Sequence, residues 1–196
     1  MRIMAAIALA LCLAGGSIAA QEVKITPEVA SRSIVINGVP QVIERIQDTA
    51  HQIDPEFAKT SRPCPPFCIH PISAGPGVET IGEIEVMDFL EAEVATGKGL
   101  LIDSRVPAWY QKGTIPGAVN VPFSTLEPTN PYRDEILKAL GARQSGGGWD
   151  FSNALDLALF CNGPWCDQSP RAIRSLTEAG YPPAKIRYYR AGCGYG

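Results

Sequence analysis

The sequence predicts an α/β fold, a parallel β-sheet flanked by helices, preceded by a small hairpin and an irregular extension. From residue 78 onward, short apolar segments alternate with segments of helical periodicity, which is typical of parallel strands joined by helices. Nearer the start, an Asn-Gly pair separates two apolar runs, a strong signal for a β-hairpin. Six prolines between residues 53 and 77 exclude a helix or a central strand there.

The first twenty residues have the three parts of a secretory signal peptide. Arg2 gives a positive start, residues 5–14 are almost all apolar, and small residues around Ala19 and Ala20 suit a cleavage site. This segment predicts export, in a bacterium to the periplasm, and the alternative is a buried N-terminal helix. Beyond it, no stretch approaches the roughly 18 consecutive apolar residues of a membrane span.

Residues 21–77 are predicted to form an N-terminal extension with two parts. The first is a hairpin, because Asn37 and Gly38 suit a turn that needs positive φ at both positions. The second is the proline-rich segment, an ordered or semi-ordered arm that carries Cys64 and Cys68.

Residues 78–196 are predicted to form the α/β domain. Its strands are short and apolar, its helices have an apolar stripe, and the helices end close to glycines. Strands are predicted at 100–103, 118–121, 158–160 and 186–189, and helices at 84–94, 132–140 and 169–179. Residues 144–148, rich in glycine, are predicted to be a flexible surface loop.

The charge and the cysteines limit the classes of function. A formal net charge of −3 and a pI near 5.4 argue against a general nucleic-acid binder, which needs a basic face. Removal of the signal peptide leaves an odd number of cysteines, so at least one thiol is unpaired or is paired to another chain. These cysteines are Cys64, Cys68, Cys161, Cys166 and Cys193.

The Cys64 and Cys68 pair is predicted to form a local disulfide, since an exported chain meets oxidising conditions. Such a short loop constrains little of the unfolded chain, so the stabilisation would be modest. A metal site is the alternative, but the spacing differs from that of zinc ribbons and only His51 and His70 could assist. The sequence predicts no metal site and no cofactor.

Cys161 ends a predicted strand, and open α/β sheets place their sites at this edge. Ser169 and Pro170 suit the N-cap and the first residue of a helix. Backbone N–H groups of the loop between them, together with the helix dipole, would stabilise a thiolate and an anionic ligand. Cys161 is therefore the predicted nucleophile, and the alternative is a simple disulfide with Cys166.

Four motifs occur in order: Asp103-Ser-Arg105, Gly113-Thr-Ile-Pro-Gly117-Ala, Cys161-Asn-Gly163 with Arg171, and Tyr188-Tyr-Arg190-Ala-Gly192. Together they resemble, over roughly residues 78 to 193, the rhodanese (sulfurtransferase) superfamily. Thr114 stands where that family usually has His, and the helix that usually closes the family's fold is missing from this sequence.

The resemblance implies that Cys161 takes a sulfane sulfur from a small anionic donor such as thiosulfate and passes it, as a persulfide, to a thiol or cyanide. It implies a charge aid in Arg171 and structural roles for Asp103, Arg105 and Gly117. The amides of the loop would bind the anion. They belong to Asn162, Gly163, Trp165, Cys166, Asp167 and Gln168.

Two departures from the family stand inside the loop. Cys166 occupies a position where the family has a small or basic residue, and Asp167 is unfavourable beside an anion unless it pairs, for example with Arg171. One alternative function is therefore a periplasmic thiol-disulfide oxidoreductase that uses Cys161 with Cys166 and Cys64 with Cys68, together with a redox partner protein. A non-catalytic rhodanese-like binding module is the other.

Two further enzyme classes are excluded. A Cys phosphatase of related fold needs His before the cysteine and Arg six positions after it, where this chain has Phe160 and Asp167. A Cys-His hydrolase needs a histidine, and residues 78–196 contain none.

Overall fold

The computed structural model describes residues 22–59 and 62–194, so the predicted signal peptide lies outside the described residues. Within them, strands and helices alternate from residue 79 onward, as predicted. The strands are β1 (Ser31–Ile36), β2 (Val39–Glu44), β3 (Glu79–Ile81), β4 (Gly99–Asp103), β5 (Val119–Asn120), β6 (Arg143–Ser145), β7 (Gly148–Asp150), β8 (Asp156–Phe160) and β9 (Ile186–Tyr189).

The helices are α1 (Glu83–Phe89), α2 (Pro107–Tyr110), α3 (Arg133–Ala139) and α4 (Gln168–Glu178). A wide π turn over Leu90–Val94 continues α1, so the predicted helix at 84–94 changes its pitch midway. Short 3₁₀ turns lie at Phe123–Leu126, Pro183–Lys185 and Gly192–Gly194. In the part of the chain that the structure describes, no helix is both long and apolar enough to cross a membrane.

The central sheet has five strands in the order β3-β9-β8-β4-β5, and every neighbouring pair is parallel. This confirms the predicted parallel sheet. The register aligns Asp103 of β4 with Phe160 of β8, and Phe160 with Tyr189 of β9. The three central strands therefore end together, and the residues that follow them meet at one edge.

Each face of the sheet is covered. On one face α3 and α4 bury Leu137, Ile173 and Leu176 against Leu157 and Leu159 of the sheet. On the other face α1 and its π turn share a core with the N-terminal hairpin. That second core includes Ile34, Ile36, Phe89, Leu90, Leu101 and Phe160.

The predicted hairpin is confirmed, and it packs on the domain. Asn37 and Gly38 have φ of 51° and 79°, as the tight turn requires. Ile36 lies so close to Gly117 that a Cβ on Gly117 would overlap its Cδ1, and Gly117 has φ of 83°. Glycine is required at position 117 for both reasons, which gives the motif glycine its structural role.

The prediction of a flexible loop at 144–148 is wrong. β6 and β7 form a second antiparallel hairpin, in which Gln144 pairs with Trp149. Gly146 and Gly147 form its turn with φ of 58° and 85°. Glycine-rich sequence suggested mobility, but a Gly-Gly pair also satisfies the positive φ that a two-residue hairpin turn needs.

Candidate active site

Cys161 directly follows β8 and lies in the loop that leads into α4. Its side chain is only 1% exposed. The predicted N-cap of α4, Ser169, is wrong by two residues. Asp167 is the N-cap, since the amide of Arg171 donates to the Asp167 carbonyl at 2.9 Å. Ser169 therefore lies inside the first turn, fully buried, instead of capping the helix.

The cradle around Cys161 favours its thiolate. Burial alone raises the pKa of Cys161, but the neighbouring Cys166 thiol, the hydroxyl and N–H of Ser169 and the N–H of Gly163 favour the anion and outweigh it. The net effect lowers the pKa of Cys161 to about 7. Ser169 Oγ is buried without a hydrogen-bond partner, so its hydroxyl is free to turn towards the thiolate.

The predicted loop amides serve two sulfurs. The N–H groups of Gly163 and Ser169 act on Cys161, whereas those of Asn162 and Gln168 act on Cys166. Both thiols are free in this structure.

A turn in the loop brings the two cysteines together. The Cys166 amide donates to the Gly163 carbonyl at 2.9 Å. The Cys161 thiol donates to the Cys166 carbonyl at 3.3 Å. Cys161, Trp165 and Cys166 form a buried cluster of their own.

A buried ion pair fixes the loops beside Cys161. Arg105 Nη2 lies 2.6 Å from Asp103 Oδ2, and both side chains are fully buried. Arg105 also donates to the Asn162 Oδ1 at 3.1 Å and to the Gly113 carbonyl at 2.7 Å. Thr114, which replaces the family's His, donates to Asp103 Oδ2 at 2.8 Å. The pair therefore ties β4, the 113–114 turn and the start of the loop at 161–167 together.

The turn after β9 holds the backbone of Cys161. The amide of Cys193 donates to the Cys161 carbonyl at 3.1 Å. A Cβ on Gly192 would overlap the same carbonyl, and Gly192 has φ of 62°. The glycine of the fourth motif is therefore needed for this close approach.

Arg171 is surrounded by acidic groups. It pairs with Glu127 and lies 3.8 Å from Asp167, and its guanidinium stacks 4.3 Å from the Phe123 ring centroid. The Asp167 carboxylate thus has the partner that the sequence suggested. With two carboxylates beside it, Arg171 carries little uncompensated charge for a donor anion.

The arm of the extension lies against the loop at 161–167. Cys64 and Cys68 form the predicted disulfide. Phe67, between them, packs edge-on against Trp165 with ring centroids 6.1 Å apart. The amide of His70 donates to the Pro164 carbonyl at 2.8 Å. We call residues 62–70 the cover, because they overlie the loop that holds both thiols.

Two arginines at the cover have no carboxylate partner within the described residues. Arg62 stacks on Trp165 with Cζ 4.0 Å from the ring centroid, and its Nε and Nη2 are buried without a partner. Arg190, just after β9, donates to the His70 carbonyl at 2.8 Å while its Nε has none. These guanidinium groups leave positive charge and N–H donors next to the catalytic loop.

The family of the chain follows from a comparison of its sequence with known families. The model of the Rhodanese-like domain family matches residues 86–193. The chain belongs to the rhodanese-like domain family. The match covers all four motifs from Asp103 to Gly192, and it includes Cys161 and Cys166.

Individual relatives of this rhodanese-like domain are distant. The HTH-type transcriptional regulator Rv0324 of Mycobacterium tuberculosis is 31% identical over 84 residues, or 43% of this chain. The chain spans 29% of that regulator's length.

Among solved structures, a protein of unknown function from Rhodopseudomonas palustris, described as a possible tyrosine phosphatase, is 18% identical with a TM-score of 0.43. The similarity covers 61% of this chain and 79% of that one. The human single-domain sulfurtransferase TSTD1 is 24% identical with a TM-score of 0.40, over 59% and 91% of the two chains. Because both structures are under 25% identical to this chain and have TM-scores below 0.5, they do not contribute to the family assignment.

A cavity of the rhodanese-like domain lies away from Cys161. Its volume is about 720 Å³, it lies between the extension and the domain, and its lining includes the apolar residues Ile43, Phe57 and Leu90. Cys193 also lines it, and burial raises the pKa of Cys193 to about 12. Cys161 does not line this cavity, so the two are separate features.

The structure brings together most of the residues predicted for the site and adds others. Asn162, Gly163, Trp165, Cys166 and Gln168 all adjoin Cys161 or its neighbouring sulfur. Sequence reasoning missed Ser169 as a side-chain donor, because a serine before a proline suggested an N-cap. It also missed Arg62, for which no local pattern exists. No cluster of three or more metal-ligating side chains occurs among the described residues.

Proposed function

We propose that the protein is a sulfurtransferase that moves a sulfane sulfur from a small anionic donor, such as thiosulfate, to a thiol or cyanide acceptor through Cys161. The observation that carries this proposal is the buried Cys161 at the end of β8, with a lowered pKa and donors from Gly163, Cys166 and Ser169 around it. Membership of the rhodanese-like domain family supports it.

The first step is attack by the Cys161 thiolate on the outer sulfur of the donor. In thiosulfate the S–S bond breaks, sulfite leaves with the bonding electron pair, and Cys161 becomes a persulfide anion. The N–H groups of Gly163 and Ser169 and the start of α4 stabilise that anion, because the amino end of a helix carries partial positive charge. The acceptor then attacks the outer sulfur and regenerates the Cys161 thiolate.

In this proposal the positive charge for the donor comes from Arg62 of the cover and from Arg190 after β9. The loop itself contains Asp167 and no lysine or arginine, and Arg171 is paired with carboxylates. Arg62 and Arg190 offer buried N–H groups without partners. A guanidinium donates hydrogen bonds to the oxygens of a small oxyanion in a fixed planar geometry, so these two residues supply what the loop lacks.

Access to Cys161 requires the cover to move. Cys161 is nearly inaccessible to solvent, yet a donor must reach its sulfur. Opening the cover breaks the contacts of Phe67 and Arg62 with Trp165 and the hydrogen bond from the His70 amide to the Pro164 carbonyl. The disulfide in the cover also suits an oxidising compartment, and we extend the proposal to an exported, periplasmic protein.

Mass spectrometry of the intact protein tests the proposed function. The reduced protein is mixed with thiosulfate, and both the released sulfite and the mass of the peptide with Cys161 are measured. We expect sulfite release that depends on Cys161 and is lost in Cys161→Ser. Cys193→Ser is the matched control, because its thiol faces the separate cavity, and it should release sulfite like the wild type.

Two outcomes would replace the proposal by another function. Reduction of insulin disulfides without any sulfite release from thiosulfate would indicate a thiol-disulfide oxidoreductase, which the adjacent free thiols of Cys161 and Cys166 favour as the second candidate. If the protein shows no sulfite release and no disulfide reduction, it is a non-catalytic rhodanese-like binding module.

A further inference from the structure

Cys166 is the buried nucleophilic group that simple sulfur transfer does not use. It is 5% exposed, free, and part of the same cluster as Cys161 and Trp165. The loop turn between Gly163 and Cys166 folds the chain back, so that Cys161 Sγ lies 3.3 Å from the Cys166 carbonyl oxygen. The neighbouring Cys166 thiol is also among the groups that lower the pKa of Cys161.

We propose that Cys166 resolves the Cys161 persulfide, which releases hydrosulfide and leaves a Cys161–Cys166 disulfide. The inference rests on the proposed sulfurtransferase function and extends it to a second activity. The protein would then reduce the sulfane sulfur of its donor to hydrosulfide, with an external dithiol as the reductant that reopens the disulfide.

The step balances in atoms and electrons. The Cys166 thiol gives its proton to the terminal sulfur of the Cys161 persulfide anion. The resulting Cys166 thiolate attacks the inner sulfur, Cys161 Sγ, and forms the new S–S bond. The bond between the inner and outer sulfurs breaks, and the outer sulfur leaves with the electron pair as hydrosulfide. The two cysteine sulfurs are oxidised by two electrons, and the outer sulfur is reduced by two.

The burial of the pair favours this intramolecular step over transfer to an external acceptor. An acceptor must pass the cover and Trp165 to reach Cys161, whereas Cys166 is already in contact. Holding two reacting groups together in a fixed site raises their effective concentration far above that of a free thiol. The cradle supports both sulfurs, because the amides of Asn162 and Gln168 act on Cys166 and so stabilise its thiolate during the attack.

The order of the two steps is also built into the pair. The hydrogen bond to Cys161, followed by burial, raises the pKa of Cys166. Cys166 therefore remains a thiol while the Cys161 thiolate attacks the donor, and the two anions do not compete. Once Cys161 carries the extra sulfur, the negative charge lies on the terminal sulfur and no longer on Cys161 Sγ, which Cys166 attacks.

A single-turnover experiment tests the inference with the full-length reduced protein. Reductant is removed, thiosulfate is added, and sulfite, hydrosulfide and the mass of the loop peptide are measured. We expect one sulfite and one hydrosulfide per chain and a loop peptide lighter by two hydrogens. Cys166→Ser should release sulfite but no hydrosulfide, and should keep one extra sulfur on Cys161.

The matched control is Cys193→Ser, which should behave as the wild type in both releases. Sulfite release from the wild type with a stable extra sulfur on Cys161 and no hydrosulfide would overturn the role of Cys166 and leave the sulfurtransferase proposal intact. Absence of sulfite release would overturn both. The wild-type measurement is decisive by itself, so it holds even where Cys166→Ser folds poorly, and Cys166→Ala provides a second variant.

Discussion

Two neighbouring strands, β4 and β8, end at the same edge of the sheet, and the ion pair beside the first contrasts with the helix start beside the second. After β4, both oxygens of Asp103 accept hydrogen bonds from Arg105, and Thr114 adds another. After β8, Gln168 and Ser169 bury side-chain oxygens that have no partner, as Ser104 does next to the ion pair. Buried polar groups are nearly always paired in folded proteins, so these three side chains are exceptions.

The ion pair after β4 positions the loop, whereas the groups at the start of α4 are available for the proposed reaction. The Asp103–Arg105 pair is fully buried and reaches Asn162, so it holds the loop in place and is not exposed to a substrate. At the start of α4 the Ser169 hydroxyl has no partner, and negative charge on Cys161 would accept a hydrogen bond from it. Mutations at the two places should therefore produce different kinds of loss.

The largest effect is expected from Arg105→Met, which breaks the buried ion pair. It leaves the Asp103 carboxylate buried without its cation, and such an unpaired charge costs about 3–5 kcal/mol of stability. The measurement is the free energy of unfolding in urea with the disulfide intact. The double variant Asp103→Asn with Arg105→Met should recover part of the loss, because it removes the buried charge while keeping an acceptor for Thr114.

Arg174→Met is the matched control for this prediction. Arg174 is exposed on α4, and its removal should change the free energy of unfolding by less than about 0.5 kcal/mol. A loss for Arg105→Met as small as that of Arg174→Met would show that the buried pair is not what holds the loops together.

A smaller effect, on reactivity and not on stability, is expected from Ser169→Ala. The lowered pKa of Cys161 means that alkylation by iodoacetamide slows about tenfold for each pH unit below about 7, as the thiolate is protonated. Losing one hydrogen bond to the thiolate should move this profile upward by about one pH unit. Site-resolved mass spectrometry of Cys161 alkylation against pH gives the profile.

The control here is Ser175→Ala, a second buried serine on the same helix. It should leave the pH profile of Cys161 where the wild type has it. If Ser169→Ala also leaves the profile unmoved, the unpartnered hydroxyl has no part in stabilising the thiolate.

The smallest effect is expected from Phe67→Ala, which loosens the cover over Cys161. Loss of the edge-on contact with Trp165 should lower the stability of the cover by about 1 kcal/mol. Cys161 should then be alkylated a few-fold faster at fixed pH. Phe57→Ala is the control, because Phe57 makes a similar contact with Trp109 outside the site. Alkylation of Cys161 should be faster in Phe67→Ala than in Phe57→Ala, and equal rates in the two variants would contradict the role of the cover.

Local patterns in the sequence were sufficient for the frame of the molecule. The turn at Asn37 and Gly38, the apolar runs that became β4, β8 and β9, and the position of Cys161 at a strand end all depend on neighbouring residues only. Such features follow from backbone sterics and from burial of a sheet on both faces.

Contacts between distant segments were beyond those patterns. Phe67 meets Trp165, and Arg171 meets Glu127, across long stretches of chain with no periodicity to predict either pairing. Ser169 shows a subtler failure, since its residue type favours an N-cap while tertiary packing starts α4 earlier and turns the hydroxyl inward. The Asp103–Arg105 pair was predictable as a motif, whereas the positions of Ser169 and Phe67 around Cys161 depend on tertiary packing.

The hairpin has a consequence for the order in which the chain is made. Ile34 and Ile36 emerge from the ribosome long before Leu90 and Gly117, the surface on which they pack. A two-stranded ribbon has little stability by itself, so the nascent chain carries this apolar stripe unprotected until most of the sheet has been synthesised. A chaperone that shields β1 during synthesis would therefore protect the whole protein from aggregation.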